Sequence, residues 1–266
     1  MRSAALNKQC VRLILAVLLP ALAGCGAAGH RILEEKFEQT YSIEPTATVA
    51  IKNGDGAVFV YGSNVNEMRV EAIKRAYTRD RLKQIKINVS AQPDSVSIET
   101  NFPRKPRWSF SDRSGTVDYT IVIPASVNLL RVDLANGEIL VDGMRGPTVR
   151  TRLERGQIFA RNCFSSIELT MGSGTLTLAY DWWEPGRFSI QANVERGNAW
   201  AFLPSDAVCH LVAETNDGKV ASDFGQTEER GANEVAKIDT LINGGGESAI
   251  TMRAREGNIK IVEASP

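Results

Sequence analysis

The chain has 266 residues, 43% of them hydrophobic, and its 31 Lys and Arg balance 31 Asp and Glu, so the formal charge is zero. That balance excludes a disordered polyelectrolyte and a generally basic nucleic-acid binder, and the apolar content suffices for one or two packed domains. Only two histidines occur, His30 and His210, too few for a histidine-built metal site.

In chain order, Arg2, Lys8 and Arg12 precede an apolar run from Leu13 to Leu22, and no acidic residue occurs before Glu34. A positive start followed by a short apolar stretch is the pattern of a secretory signal. The run is about half the roughly 20 residues a transmembrane helix needs, and Pro20 interrupts it. It ends in Leu22-Ala23-Gly24-Cys25, which resembles the lipobox of bacterial lipoproteins. The resemblance implies a signal peptide over 1–24 and a mature chain that begins at an acylated Cys25 and is held to the membrane by that lipid. Gly26 follows in place of Asp, which favours the outer membrane, on its periplasmic or surface face, over retention at the inner one. Cleavage removes basic residues and no acidic ones, so the mature chain is mildly acidic and nucleic acid is again disfavoured as a partner. Residues 25–40 read as a tether.

From Tyr41 the pattern is strand-like. Thr48 to Lys52, Ala57 to Gly62 and Met68 to Ile73 are β-branched or alternating, with Asn53-Gly54-Asp55-Gly56 as a turn between the first two. One short helix is predicted at Arg79 to Gln84, capped by Thr78, before strands at Ile85 to Val89 and Val96 to Glu99. A loop from Asn101 to Gly115 separates this less regular first part, 41–115, from a repeating part, 116–266.

The repeat is one glycine followed two residues later by an apolar residue that opens a strand. It occurs at Gly137, Gly156, Gly174, Gly197, Gly218 and Gly257, with an earlier copy at Gly56. Successive spacings from Gly137 are 19, 18, 23, 21 and 39 residues, so the last gap has room for two periods, with Gly244-Gly245-Gly246 inside it. A period near twenty is the length of one solenoid coil. Glycine supplies the positive φ of a sharp turn, and the short strands that follow each bury one apolar face only if coils stack. The expected fold is therefore all-β, a β-solenoid or β-helix-like stack over 41–266; unrelated hairpins in a sandwich are the competing arrangement.

Val117 to Pro124, Val127 to Leu129 and the segment Val132 to Gly143, with its Asn136-Gly137-Glu138-Ile139 turn and strand, together resemble the bacterial putative-adhesin family, a β-solenoid domain of unknown function. The likeness runs over residues 43 to 263. It implies the solenoid fold and a cell-envelope setting, and its motifs are structural, with no catalytic residue to carry over. Ala199, where Ile or Val is expected, and the 39-residue gap depart from the pattern.

No Gly-x-Ser-x-Gly, His-Glu-x-x-His, Walker or paired Cys-x-x-Cys motif occurs, and no cofactor or metal is expected. Solenoids also house polysaccharide lyases and glycosidases, which need paired carboxylates. Glu138, Asp142, Glu154, Glu168, Glu195, Asp217 and Glu256 are available, and nothing in their spacing selects two of them. Two features suit ligand binding. One is Arg104, Lys105, Arg107 and Trp108, which continue a basic first part (Arg69, Lys74, Arg75, Arg79, Arg81, Lys83, Lys86) and suit an anionic glycan or headgroup. The other is Trp182-Trp183, either a sugar platform or a seal on the core edge. Cys163 and Cys209 either pair as a disulfide or sit as two small buried hydrophobes. The reading is a non-enzymatic, lipid-anchored envelope protein presenting a β surface for adhesion, to a cell-wall or surface glycan or another envelope protein. A carbohydrate-active enzyme on a β-helix scaffold and an envelope-stress regulatory component are the alternatives.

Overall fold

A period of two puts Val58 and Val60, Ile139 and Val141, and Ile158 and Ala160 on one face of their strands, and burying all six requires those strands to lie side by side. In the computed structural model, which describes residues 32–103, 115–225, 229–230 and 235–264, all six are at most 3% exposed. The first part holds β1 (Leu33–Ser42), β2 (Thr48–Ser63), β3 (Glu67–Ala76), helix α1 (Arg79–Gln84), β4 (Lys86–Gln92) and β5 (Ser95–Asn101). Next come β6 (Thr116–Pro124), β7 (Leu129–Asp142), β8 (Thr148–Arg161), β9 (Ser166–Ala179) and β10 (Ser189–Pro204). The C-terminal part adds β11 (Cys209–Asp217), β12 (Val220–Ser222), β13 (Glu229–Arg230), β14 (Ala236–Ile242), β15 (Ala249–Glu256) and β16 (Ile259–Ala264). These strands join into one open, mixed sheet.

Strands β2, β7, β8, β9 and β10 are parallel neighbours in that order, and Gly56, Gly137, Gly156, Gly174 and Gly197 stand opposite one another in register. The glycine divides each strand into a first and a second run. At one end β5 pairs with the first run of β2 and β6 with its second; at the other, β15 pairs with the first run of β10 and β16 with its second. Glycine is required in this column for two independent reasons. Gly156 has φ +135°, a conformation other residues rarely adopt, and a Cβ there would stand 1.8 Å from the Gly137 carbonyl oxygen. Side chains beside the column bond along it: Asn136 Nδ2 donates to Asp55 Oδ1 (2.8 Å) and Arg155 Nε to Asn136 Oδ1 (2.9 Å).

The 39-residue gap does not hold two further periods. It holds β14, which runs antiparallel to β11, and the C-terminal pair β15 and β16 is inserted between β10 and β11–β12. Gly257 therefore follows Gly197 in the column and Gly218 lies beyond it, each in line with the preceding carbonyl. The insertion satisfies backbone groups on both sides of the last strands in the chain. Gly244, Gly245 and Gly246 lie in the connection from β14 to β15, outside the column.

The tether ends earlier than expected, because β1 begins at Leu33 and pairs antiparallel with β3 from Leu33 opposite Ala76 to Ser42 opposite Glu67. Leu33, Phe37 and Tyr41 share one face and pack on the core. On this strand Glu34 meets Arg75 (2.8 Å), Glu35 meets Lys74 (2.5 Å) and Glu38 meets Arg69 (3.0 Å). Helix α1 occupies the residues expected of it, with Thr78 Oγ1 accepting the Arg81 N–H at 3.2 Å. The segment expected to be a signal peptide, Cys25, the start of the expected tether and the group Arg104, Lys105, Arg107 and Trp108 lie outside the described residues.

Candidate binding surface

The two runs of each strand present different outward faces. Along the first runs the outward residues are mostly polar or charged, and several pair: Arg131 with Asp133 (2.7 Å), Arg150 with Glu168 (3.3 Å), Arg253 with Glu214 (2.5 Å) and Arg255 with Glu195 (2.6 Å). These exposed pairs contribute little to stability and leave a solvated, self-neutralised face. Along the second runs the outward position three residues after the glycine is Phe59, Leu140, Phe159, Thr177 and Trp200 in successive strands, each opposite the next. All five are half-buried, whereas their inward neighbours are buried. Two residues further on, Tyr61, Asp142, Arg161, Ala179 and Phe202 form a second row in the same register. Trp200 and Phe202 stack with centroids 6.1 Å apart and planes 13° from parallel, and Lys260 Nζ lies 5.9 Å over the Trp200 ring. The result is an apolar strip, one or two side chains wide, that runs across the strands.

At one end the strip meets a cleft of about 720 Å³ lined by Ala179, Asp181, Trp182, Phe202 and Asp206 among others. The loop that carries Trp182 and Trp183 joins β9 to β10. The structure separates this tryptophan pair. Trp183 is 9% exposed and packs against Tyr180 (5.4 Å) and Phe188 (5.5 Å), with Phe164 at 6.2 Å, so it seals the edge of the core. Its buried indole N–H has no hydrogen-bond partner among the described residues. Trp182 is 46% exposed on the cleft, its Nε1 donating to Glu184 Oε1 at 2.8 Å, and Glu184 in turn meets Arg145 at 2.9 Å. The Glu184–Arg145 pair ties this loop to the turn after β7, and Arg145 also lies 4.6 Å over the ring of Phe164 in the connection from β8 to β9.

Two carboxylates beside the strip are pushed in opposite directions. Burial lifts the Asp142 carboxyl above its ordinary range, with Arg161 opposing and Asp181 adding to the shift. Hydrogen bonds from Arg161 and then from Asn162 hold Asp181 below the ordinary carboxylate range. Glu138, Glu154, Glu168, Glu195, Asp217 and Glu256 are exposed and spread over different strands. Among the described residues no group of three or more His, Cys, Asp or Glu is placed to hold a metal ion. Within the basic first part, Arg69, Lys74 and Arg75 are neutralised by the glutamates of β1, and Arg75 also contacts Asp118. Cys163 and Cys209 are free thiols, so the disulfide alternative does not hold in this structure. Each is buried, which pushes both thiols up to about 12. Cys163 Sγ donates to the Arg161 carbonyl at 3.1 Å, and the Tyr180 hydroxyl donates to the Cys163 carbonyl at 2.7 Å.

The aromatic strip escaped the sequence reading, which looked for adjacent tryptophans and charge runs. Its signal was present: counting three residues on from Gly56, Gly156 and Gly197 lands on Phe59, Phe159 and Trp200.

No family model and no curated protein matches the sequence. Among solved structures the chain is similar to a putative cell adhesion protein from Clostridium sporogenes, with a TM-score of 0.51 and 15% identity over 86% of this chain and 100% of that one. Looser likenesses are a putative adhesin from Bacteroides fragilis (TM-score 0.30, 10% identity, 86% and 97% of the two chains) and one from Parabacteroides merdae (0.28, 11%, 86% and 97%). The first of these shows a shared fold; the other two are too distant to carry an argument.

Proposed function

We propose that this chain is a non-enzymatic, adhesion-type protein of the bacterial cell envelope, lipid-anchored through Cys25 at the outer membrane, whose β-solenoid body presents the outward face of its second runs to a surface ligand. The observation that carries the reading is the in-register row Phe59, Leu140, Phe159, Thr177 and Trp200, four of its five members large and apolar, on a side of the sheet that should be polar. A one-sided sheet alternates apolar-in and polar-out, as the first runs do, and a mainly apolar row on the outward side suits an interaction site. The fold likeness to a protein named for cell adhesion supports the same reading. The Leu22-Ala23-Gly24-Cys25 sequence supports the anchor, and no helix among the described residues is long and apolar enough to cross a membrane.

Chain reach supports the solenoid winding. Strands β7 and β8 have 14 residues each, which would extend about 46 Å if straight. Residues 143–147, which connect these parallel neighbours, span at most about 18 Å. The chain therefore folds back within each strand, and the glycine column, with φ from +127° to +140° at Gly56, Gly137, Gly156, Gly174, Gly197 and Gly257, is where it turns.

Metabolic palmitate labelling, combined with protease treatment of intact cells, tests the proposal. Label on the wild type and none on Cys25→Ser, with the body cut from outside, is the expected result. Absence of label contradicts the anchor, and a labelled but protected body moves the protein to the periplasmic face and removes adhesion.

The enzymatic alternative has one observation in its favour, the opposed shifts of Asp142 and Asp181 next to an aromatic strip. Asp181 is committed to Arg161 and Asn162 through a single oxygen, Oδ2, which suits a structural carboxylate. Release of reducing ends from β-linked polysaccharides by the wild type, lost in Asp142→Asn, would reinstate that alternative.

A further inference from the structure

The strip has a repeat of its own. Phe59, Phe159 and Trp200 occupy every second strand of one row, with Leu140 and Thr177 between them. Neighbouring strands lie about 4.8 Å apart, so successive rings recur at about 9.6 Å and the row from Phe59 to Trp200 is about 19 Å long. That recurrence is close to the length of one disaccharide in an extended β-1,4-linked chain, whose pyranose rings present apolar C–H faces at that period. Polar groups flank the rings on both sides. Gln157, Thr175 and Asn198 stand on the glycine side, and Asp142 and Arg161 on the other, in the same register. Stacking under the rings with hydrogen-bonding groups along both margins is the chemistry that recognises a linear sugar chain.

The dimensions exclude a stable protein partner confined to this strip. Two rows about 7 Å apart along the strand cover a band well short of the roughly 800 Å² per partner that a stable protein interface buries. A narrow polymer lying across the strands fits the band along its whole length.

We propose that the outward face of the second runs is a binding track for an extended β-1,4-linked polysaccharide, with Phe59, Phe159 and Trp200 as successive stacking platforms one disaccharide apart. The assignment rests on the binding role proposed above and names its ligand class. The track continues toward the cleft through Phe202, where exposed Trp182 offers a further ring.

The test uses the full-length protein with chitohexaose and cellohexaose as probes, titrated by tryptophan fluorescence and calorimetry, together with sedimentation on insoluble chitin and cellulose. Expected are at least tenfold tighter binding of a hexasaccharide than of a disaccharide, which reaches only one platform, and weak binding of α-linked maltohexaose. Phe159→Ala and Trp200→Ala should each weaken hexasaccharide binding at least tenfold, Trp200→Tyr should restore most of it, and Arg131→Ala on the opposite face should change it less than twofold. Thermal melts of each variant separate loss of binding from loss of folding. No binding of any β-linked probe, or binding that Phe159→Ala and Trp200→Ala leave intact, overturns the polysaccharide track. A parallel assay on isolated cell envelopes distinguishes the two levels. If retention on envelopes is lost in the Phe159 and Trp200 variants while all β-linked sugars fail, only the ligand class is wrong; if envelope retention also ignores them, the binding face itself is wrong.

Discussion

At the scale of single residues, several positions make sharp demands. Thr151 is 3% exposed, in register with Val132 and Leu169 in a column of core residues, and its hydroxyl has no hydrogen-bond partner among the described residues. Replacing it by the isosteric valine removes a desolvated polar group without changing the packing, so Thr151→Val should stabilise the protein by about 1–3 kcal/mol; a lower urea midpoint would show that the hydroxyl is satisfied. Gly156→Ala should act in the opposite sense. It combines a positive φ with a Cβ 1.8 Å from a backbone carbonyl that cannot move without shifting its own neighbours, and a loss of about 3 kcal/mol or more is expected in the same denaturation experiment. A loss under 1 kcal/mol would mean that the column tolerates a side chain. The thiols of Cys163 and Cys209, pushed up to about 12 by burial, stay protonated at neutral pH. Iodoacetamide at pH 8 should therefore leave both unmodified in the native protein and label both in urea, and rapid native labelling would contradict their burial. The linkage has a definite sign. In the unfolded chain these thiols ionise near 9.0, so their contribution is full below that pH and is lost as pH climbs from about 9 towards 12.

Individual elements differ in how far the sequence discloses them. The strands of the middle stack were legible, because the apolar pair after each glycine repeats its burial: Ile139 with Val141, Ile158 with Ala160 and Leu176 with Leu178 are all buried. Helix α1 was legible through Thr78. Strand β1 was not, since only Leu33, Phe37 and Tyr41 face the core and the Glu and Lys residues between them gave it the composition of a linker. Its glutamates meet Arg69, Lys74 and Arg75, which neutralises the part of the basic patch that lies on β3. The insertion of β15 and β16 was also hidden. The glycine phrase at Gly257 reads the same in sequence whether its strand stacks last or is inserted before β11. That insertion has a consequence for stability: β11 touches the stack through β15, and β12 through β16. A chain ended after residue 248 should lose protection of β11, β12 and β14 in hydrogen exchange while β7, β8 and β9 keep theirs. Unchanged protection of β11 would mean that it pairs directly with β10 in the shortened chain.

For the whole molecule, the separation of faces is the organising feature. The inward side of both runs is mainly apolar, the outward side of the first runs is polar with several ion pairs, and the outward side of the second runs carries a row with three aromatic rings between polar margins. A sheet with one face on the core alternates apolar-in and polar-out, and a half-buried row that carries three aromatic rings on the outward side departs from that pattern. The glycine period made the series of short, regularly spaced strands visible from sequence, but the candidate face depends on which residues share a row across strands, and that is set by register. Phe59 and Trp200 are 141 positions apart in the chain and belong to one row because five strands align their glycines. Hydroxyl-radical footprinting of the protein on intact cells, compared with the purified full-length chain, tests the assignment of that face most directly. Protection of Phe159, Trp200 and Phe202 on cells, with unchanged reactivity of Tyr77 and Leu241 elsewhere on the surface, is the predicted result; equal reactivity of the strip in both states would contradict a bound ligand on that face.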